Sequence, residues 1–194
     1  MLERGKEIDW PSRCYLEIAM TEWADEIGLS NLAQPIAADL RRRGERLVVA
    51  ESCTGGLAAA ALASVPGISE YFCGSAVTYR EQTKIDWLGV PSTTIAGAAA
   101  VSPETTREMA QGALLRTPEA DWSAAITGHL GPNAPSELDG LVFVSIAKRD
   151  GGRVRLVDDI QGKLQNASRQ ARQVEAAGII LDALWRRLAD ESKP

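Results

Sequence analysis

The sequence has a single histidine, His129, in 194 residues. A metal site built on two imidazoles is therefore excluded within one chain, and neither an HExxH nor a zinc-finger spacing occurs. No metal site is expected. Cysteine is also scarce. Cys14, Cys53 and Cys73 are odd in number and form no CxxC pair, so no disulfide framework is expected and reduced thiols in a cytoplasm are the simplest reading. Net positive charge is missing: the chain carries −5, with a pI near 5.0. A nucleic-acid partner is not expected at that balance. No apolar run is long and unbroken enough to cross a bilayer, so no membrane partner is expected either. The first twenty residues lack the apolar core of a signal peptide. Internal repeats and low-complexity tracts are absent, as are the GxxxxGK[ST] and GxSxG motifs.

What is present is ordinary globular material. At roughly 150 residues per domain, the length fits one domain with an appendage. Residues 1–29 form the appendage. Leu16, Met20, Trp23 and Ile27 recur at helical spacing before Gly28, which predicts a short amphipathic helix that rests on the domain or on a partner chain. The domain occupies residues 30–190. Ser30 is placed to cap a helix ending at Arg41-Arg-Arg-Gly44, where the arginines complement the negative helix end. Arg46–Ala50 reads as a buried strand, and Leu57–Ala63 as a helix of small residues. Further strands are predicted at Tyr71–Tyr79, Trp122–Thr127, Leu141–Ala147 and Val154–Val157, the last two joined by an Asp150-Gly151 turn. Glu81–Leu88 is a short helix. Ser102-Pro103 starts another, and Asn166–Leu188 forms the last. The fold class is α/β: three layers, α/β/α, around a mixed and mostly parallel sheet of about five strands.

Glu51-Ser-Cys-Thr-Gly-Gly56 lies between a strand and a helix. Backbone N–H groups at such a junction point outward and can hold an oxyanion or a phosphate. Ser52 is a candidate nucleophile there. The same residues equally fit a capped helix whose glycines pack on the sheet. A serine nucleophile needs a base. His129 is one option. A neutral lysine is the other, and it needs a pKa lowered by about 3 units to work at pH 7. Only five lysines stand against sixteen arginines, and Lys84, shortly after a strand end and near Tyr79, is the one placed for the role; it also fits a solvated helix position.

The string Val48-Val-Ala-Glu-Ser-Cys-Thr-Gly-Gly-Leu-Ala-Ala59 resembles the signature of the CinA C-terminal domain family, the nicotinamide-nucleotide amidohydrolases. The likeness continues through Val65-Pro-Gly67, Gly74-Ser-Ala-Val-Thr-Tyr79, Lys84, Leu88-Gly-Val90, Ser102-Pro-Glu104, Met109–Ala113, Ala125-Ile-Thr-Gly128 and Gly131-Pro132, covering about residues 30–188. The resemblance implies hydrolysis of the carboxamide of nicotinamide mononucleotide, or a related amide, through a Ser/Lys acyl-enzyme. It implies Ser52 as nucleophile, Lys84 as general base and Tyr79 as its assistant. Cys53, Thr54, Gly55, Gly56, Thr127, Gly128, His129 and Arg172 become substrate-contact candidates, with oxyanion donors around Thr54–Gly56 or Thr127–Gly128. It further implies a homodimer, with a small nucleotide or amide as the partner molecule and no metal or organic cofactor.

The chain departs from the family pattern after Gly128. Ala134-Pro135 replaces paired glycines, His129 stands where a small residue is common, and Glu137 and Asp139 bring negative charge near the site. A phosphate-bearing substrate disfavours that charge unless a cation compensates. Arg172 matches one arginine of the family's last helix, while the segment from Gly162 to Arg172 aligns poorly around Arg169. Two alternatives follow: a nucleotide-binding or regulatory module that has lost turnover, and an interaction protein docked through its first helix.

Overall fold

The structure, a computed structural model, describes residues 28–191. The expected helix over residues 16–27 lies outside the described residues. Leu47-Val-Val-Ala-Glu51 has no polar residue until its end, so it suits a strand covered on both faces. It forms β1 (Leu47–Glu51), with all five residues buried. The chain runs from α1 (Ser30–Arg43) through β1 to α2 (Leu57–Ala63), a 3-10 turn (Ile68–Glu70) and β2 (Phe72–Val77). Then come α3 (Glu81–Leu88), α4 (Ser92–Ala98), α5 (Pro103–Arg116) and β3 (Trp122–Gly128). The hairpin β4 (Leu141–Asp150) and β5 (Arg153–Lys163) leads to the long α6 (Arg169–Asp190).

The five strands form one mixed sheet in the order β2-β1-β3-β4-β5. β1 pairs in parallel with β2 and β3, while β4 runs antiparallel to both β3 and β5. Four of the five strands therefore point the same way. Strand alternation divides two cores. Leu47 and Val49 join Trp122, Ala124 and Ile126 beneath α1, α2 and α6. Val48, Ala50 and Ala125 join Met109 and Ala113 beneath α3, α4 and α5. This is the expected three-layer α/β/α arrangement. No described helix is long and apolar enough to cross a membrane.

Some local expectations shift. Ser30 is the first helical residue and Leu29 takes the capping position, buried in the core at 3% exposure. α6 begins at Arg169, not Asn166, because the Ser168 hydroxyl accepts the Ala171 N–H at 3.2 Å. β5 has 11 residues rather than four. It is an edge strand bearing Arg153, Arg155, Asp158 and Asp159, so apolar alternation does not mark its length. α4 has no buried residue and so no apolar stripe to reveal it. Ser102 caps α5 as expected, accepting from the Thr105 N–H at 3.1 Å, with Pro103 in the first helical position. Gly112 lets α5 meet the end of α3, since a Cβ there would lie 2.0 Å from the Leu88 carbonyl oxygen. That close contact sets the height of α3, which carries Lys84.

Candidate active site

β1 ends at the floor of the site. Alternation turns Glu51 toward α2 and leaves Ser52 for the α3 side. Glu51 is fully buried. Its carboxylate accepts the N–H groups of Gly56 (3.0 Å), Ala58 (3.2 Å) and Ala59 (2.9 Å), and the Ser75 hydroxyl at 3.1 Å. The start of α2 therefore holds its own anion, which fixes the turn that carries Ser52. Gly55 and Gly56 have φ of +64° and +101°, values that glycine adopts without strain. The Gly55 N–H donates to the Ser52 carbonyl at 3.2 Å. Among the described residues, the N–H groups of Cys53 and Thr54 donate to no other residue.

Lys84 reaches this floor from the first turn of α3. Its Nζ lies 3.0 Å from Ser52 Oγ and donates to the Thr78 carbonyl at 2.7 Å. Lys84 is 1% exposed and Ser52 7%. Burial lowers the lysine pKa from 10.5 to about 8, against opposing pulls from Cys53 and Glu81. At pH 7 about a tenth of it is neutral amine. In that form one N–H stays on Thr78 and the lone pair can accept the Ser52 hydroxyl hydrogen. Because the folded chain releases this proton before the unfolded chain does, Lys84 adds stability as pH rises from about 8 toward 10.5.

The pair opens into a cleft of about 740 Å³. One wall is the segment 128–135; the other carries Tyr79, Arg80, Glu81 and Gln82. Arg169, the first residue of α6, stands at the mouth. It donates to the Tyr79 hydroxyl at 2.6 Å and to the Gly131 carbonyl. Arg172, one turn on, makes a bidentate pair with Asp139 at 2.7 and 2.8 Å and donates to the Asn166 carbonyl at 2.7 Å. That guanidinium holds the Asp139 carboxyl below its usual range. Among the described residues, no group of three or more His, Cys, Asp or Glu side chains could hold a metal ion.

The profile of the CinA C-terminal domain matches residues 29–184. The chain belongs to the CinA C-terminal domain family. A CinA-like protein of Syntrophomonas wolfei is 37% identical over 166 residues, which is 84% of this chain and 38% of its own length. A CinA-like protein of Synechocystis is 40% identical over 162 residues, 81% of this chain and 37% of its own length. The chain thus spans well under half the length of the curated relatives it matches. Among crystal structures, a CinA superfamily protein from Klebsiella pneumoniae superposes with a TM-score of 0.75 at 30% identity, covering 84% of this chain and 98% of that one. A competence/damage inducible protein from Agrobacterium tumefaciens gives 0.75 at 33% identity, covering 82% and 94%.

This CinA domain gathers Ser52, Cys53, Tyr79, Lys84, Gly128 and His129 around the cleft. Tyr79 does not stand between Ser52 and Lys84. Ser52 and Lys84 meet directly, and the Tyr79 hydroxyl is occupied by Arg169. His129 lines the wall, but among the described residues its ring makes no hydrogen bond to Ser52 or Lys84. Cys53 stays a protonated thiol at neutral pH, because burial pushes its pKa up to about 12.

Five expected contacts lie elsewhere. Thr127 faces α5 with Ser123 and Ala125, and its hydroxyl pairs with that of Thr106 at 2.8 Å. Thr54 is fully buried, and its carbonyl accepts from Gln173 at 2.8 Å. Gly55 and Gly56 shape the turn and lie outside the cleft wall, and the Gly56 N–H is taken by Glu51. Arg172 is spent on Asp139, and the arginine at the cleft is Arg169. The expected negative charge is absent from the wall as well. Asp139 is neutralised by Arg172, and Glu137 is exposed beyond the cleft, leaving Glu81 as the wall's carboxylate. Arg80 is a cleft residue that no motif signalled.

Proposed function

We propose that the domain is an amidohydrolase that cleaves the carboxamide of nicotinamide mononucleotide, or of a closely related amide, to the acid and ammonia. The observation that carries this reading is the contact of 3.0 Å between a buried lysine amine and a buried serine hydroxyl at the base of an open cleft. The neutral Lys84 amine takes the proton from Ser52 Oγ, which bonds to the carboxamide carbon. The Cys53 N–H, which donates to no other residue and belongs to a residue lining the cleft, is the donor this reading assigns to the resulting oxyanion. The Lys84 ammonium returns its proton to the departing nitrogen, and ammonia leaves an acyl-Ser52 ester. Water then loses a proton to Lys84 and attacks the ester carbon. Ser52 Oγ leaves and takes that proton back, freeing the carboxylic acid.

The test is ammonia release from nicotinamide mononucleotide by the wild-type protein, Ser52→Ala and Lys84→Met. Losing the nucleophile or the base is expected to slow turnover by about a hundredfold or more. Saturable binding without ammonia release from the wild type would favour a ligand-sensing module. Unchanged turnover in both variants would remove Ser52 and Lys84 from the mechanism.

A further inference from the structure

Arg80 sits on the cleft wall immediately before α3 and is exposed to solvent. A guanidinium carries no acceptor, so the Arg80 side chain cannot cap the first N–H groups of that helix. The Thr83 hydroxyl closes the turn instead, accepting the Arg80 N–H at 3.2 Å and donating to the Arg80 carbonyl at 2.8 Å. A guanidinium also stands on the unfavourable side of the helix dipole there, where Asn, Asp or Ser is preferred. Arg169 reaches the same cleft from α6, and its hydrogen bonds go to two neutral acceptors, Tyr79 Oη and the Gly131 carbonyl. Among the described residues, neither Arg80 nor Arg169 has a carboxylate within ion-pair distance. This differs from Arg42, Arg107, Arg155, Arg172, Arg186 and Arg187, each of which is paired with an acid.

Two guanidinium groups from separate elements thus face one cleft whose wall holds a single carboxylate, Glu81. Together they place positive charge at the mouth, above the buried Ser52–Lys84 pair. We propose that Arg80 acts with Arg169 as an anion subsite, and that Arg80 is a specificity-determining residue selecting substrates with a phosphate group distal to the reacting amide. The inference rests on the amidohydrolase reading for the reaction but not for the anion contact. Planar, permanently charged guanidinium groups suit a phosphate that offers several acceptor oxygens.

The experiment compares binding of nicotinamide mononucleotide and its dephosphorylated nucleoside by calorimetry, in wild type, Arg80→Asn and Arg80→Lys. Inorganic phosphate is titrated separately. Asparagine is a favoured residue at this helix start, so Arg80→Asn is expected to fold, and a thermal melt checks it. The ratio of the two dissociation constants is expected to shrink by about tenfold in Arg80→Asn, the scale of one lost charge-assisted hydrogen bond, and to recover partly in Arg80→Lys. A disturbance of the fold weakens both ligands and leaves the ratio in place. An unmoved ratio overturns the subsite, as does failure of the wild type to bind either phosphate or the nucleotide. If the ratio shrinks while no amide is hydrolysed, the subsite stands and the amidohydrolase reading falls.

Discussion

Ser52 and Lys84 are 7% and 1% exposed, while Tyr79, at the mouth of the same cleft, is 57% exposed and Arg80 and Arg169 stand in solvent. The floor is placed by the backbone. Strand alternation aims Ser52, Glu51 pins the turn, and the Thr78 carbonyl holds the lysine. The mouth is assembled by side chains that reach across from α6, from the turn after β2 and from the 128–135 segment. A group in the floor cannot move without disturbing the sheet. A group at the mouth can be exchanged at little structural cost. On the proposed reading, reaction chemistry and substrate choice are therefore separable, and His129, Ala134 and Pro135, where the chain departs from its family pattern, line the cleft wall.

The largest effect on folding is expected in the floor. Glu51→Ala removes the acceptor of three backbone N–H groups in a fully buried position. Stability should fall by roughly 3 kcal/mol or more, read from urea unfolding. A loss below about 1 kcal/mol would mean that the turn carrying Ser52 stands without its internal anion, and the contrast between floor and mouth would weaken. A smaller effect of another kind is expected from Arg172→Ala. That change frees the loop tied through Asp139 and Asn166 without touching the floor. KM for the amide substrate should rise about fivefold, with kcat less affected, on the scale of a part-buried bidentate pair. A fall confined to kcat would show that the loop supports the reacting pair itself.

Much of the floor was legible before the fold was known. An unbroken apolar strand, a hydroxyl at its end, two glycines and a small-residue helix describe the junction at Ser52, and the motif resemblance singled out Lys84. What local pattern cannot supply is the identity of a partner far along the chain. Arg169 and Arg172 are three residues apart on one helix, and only Asp139, 33 positions upstream of Arg172, decides which of them is free to face the cleft. Glu51 is hidden in part for the same reason: the backbone N–H groups it accepts from carry no side-chain signal, and the Ser75 hydroxyl lies 24 positions on, on β2. The placement of Thr127 was within reach. Alternation along Trp122–Gly128 sends residues 123, 125 and 127 to one face, and the substrate contact that the family motif implies for Thr127 runs against that period. Arg80 carried no signal, because a lone arginine before a short helix reads as a solvated charge.

Activation of Ser52 by a neutral Lys84 amine is the step on which the proposed reaction depends. It can be measured without knowing the substrate, by following covalent labelling of Ser52 with a serine-directed fluorophosphonate between pH 6 and 10. The rate should climb tenfold per pH unit at the acid end, level off above an apparent pKa of about 8, and lose that dependence in Lys84→Met. A rate that is flat across this range, or that keeps the same profile without Lys84, would contradict the account.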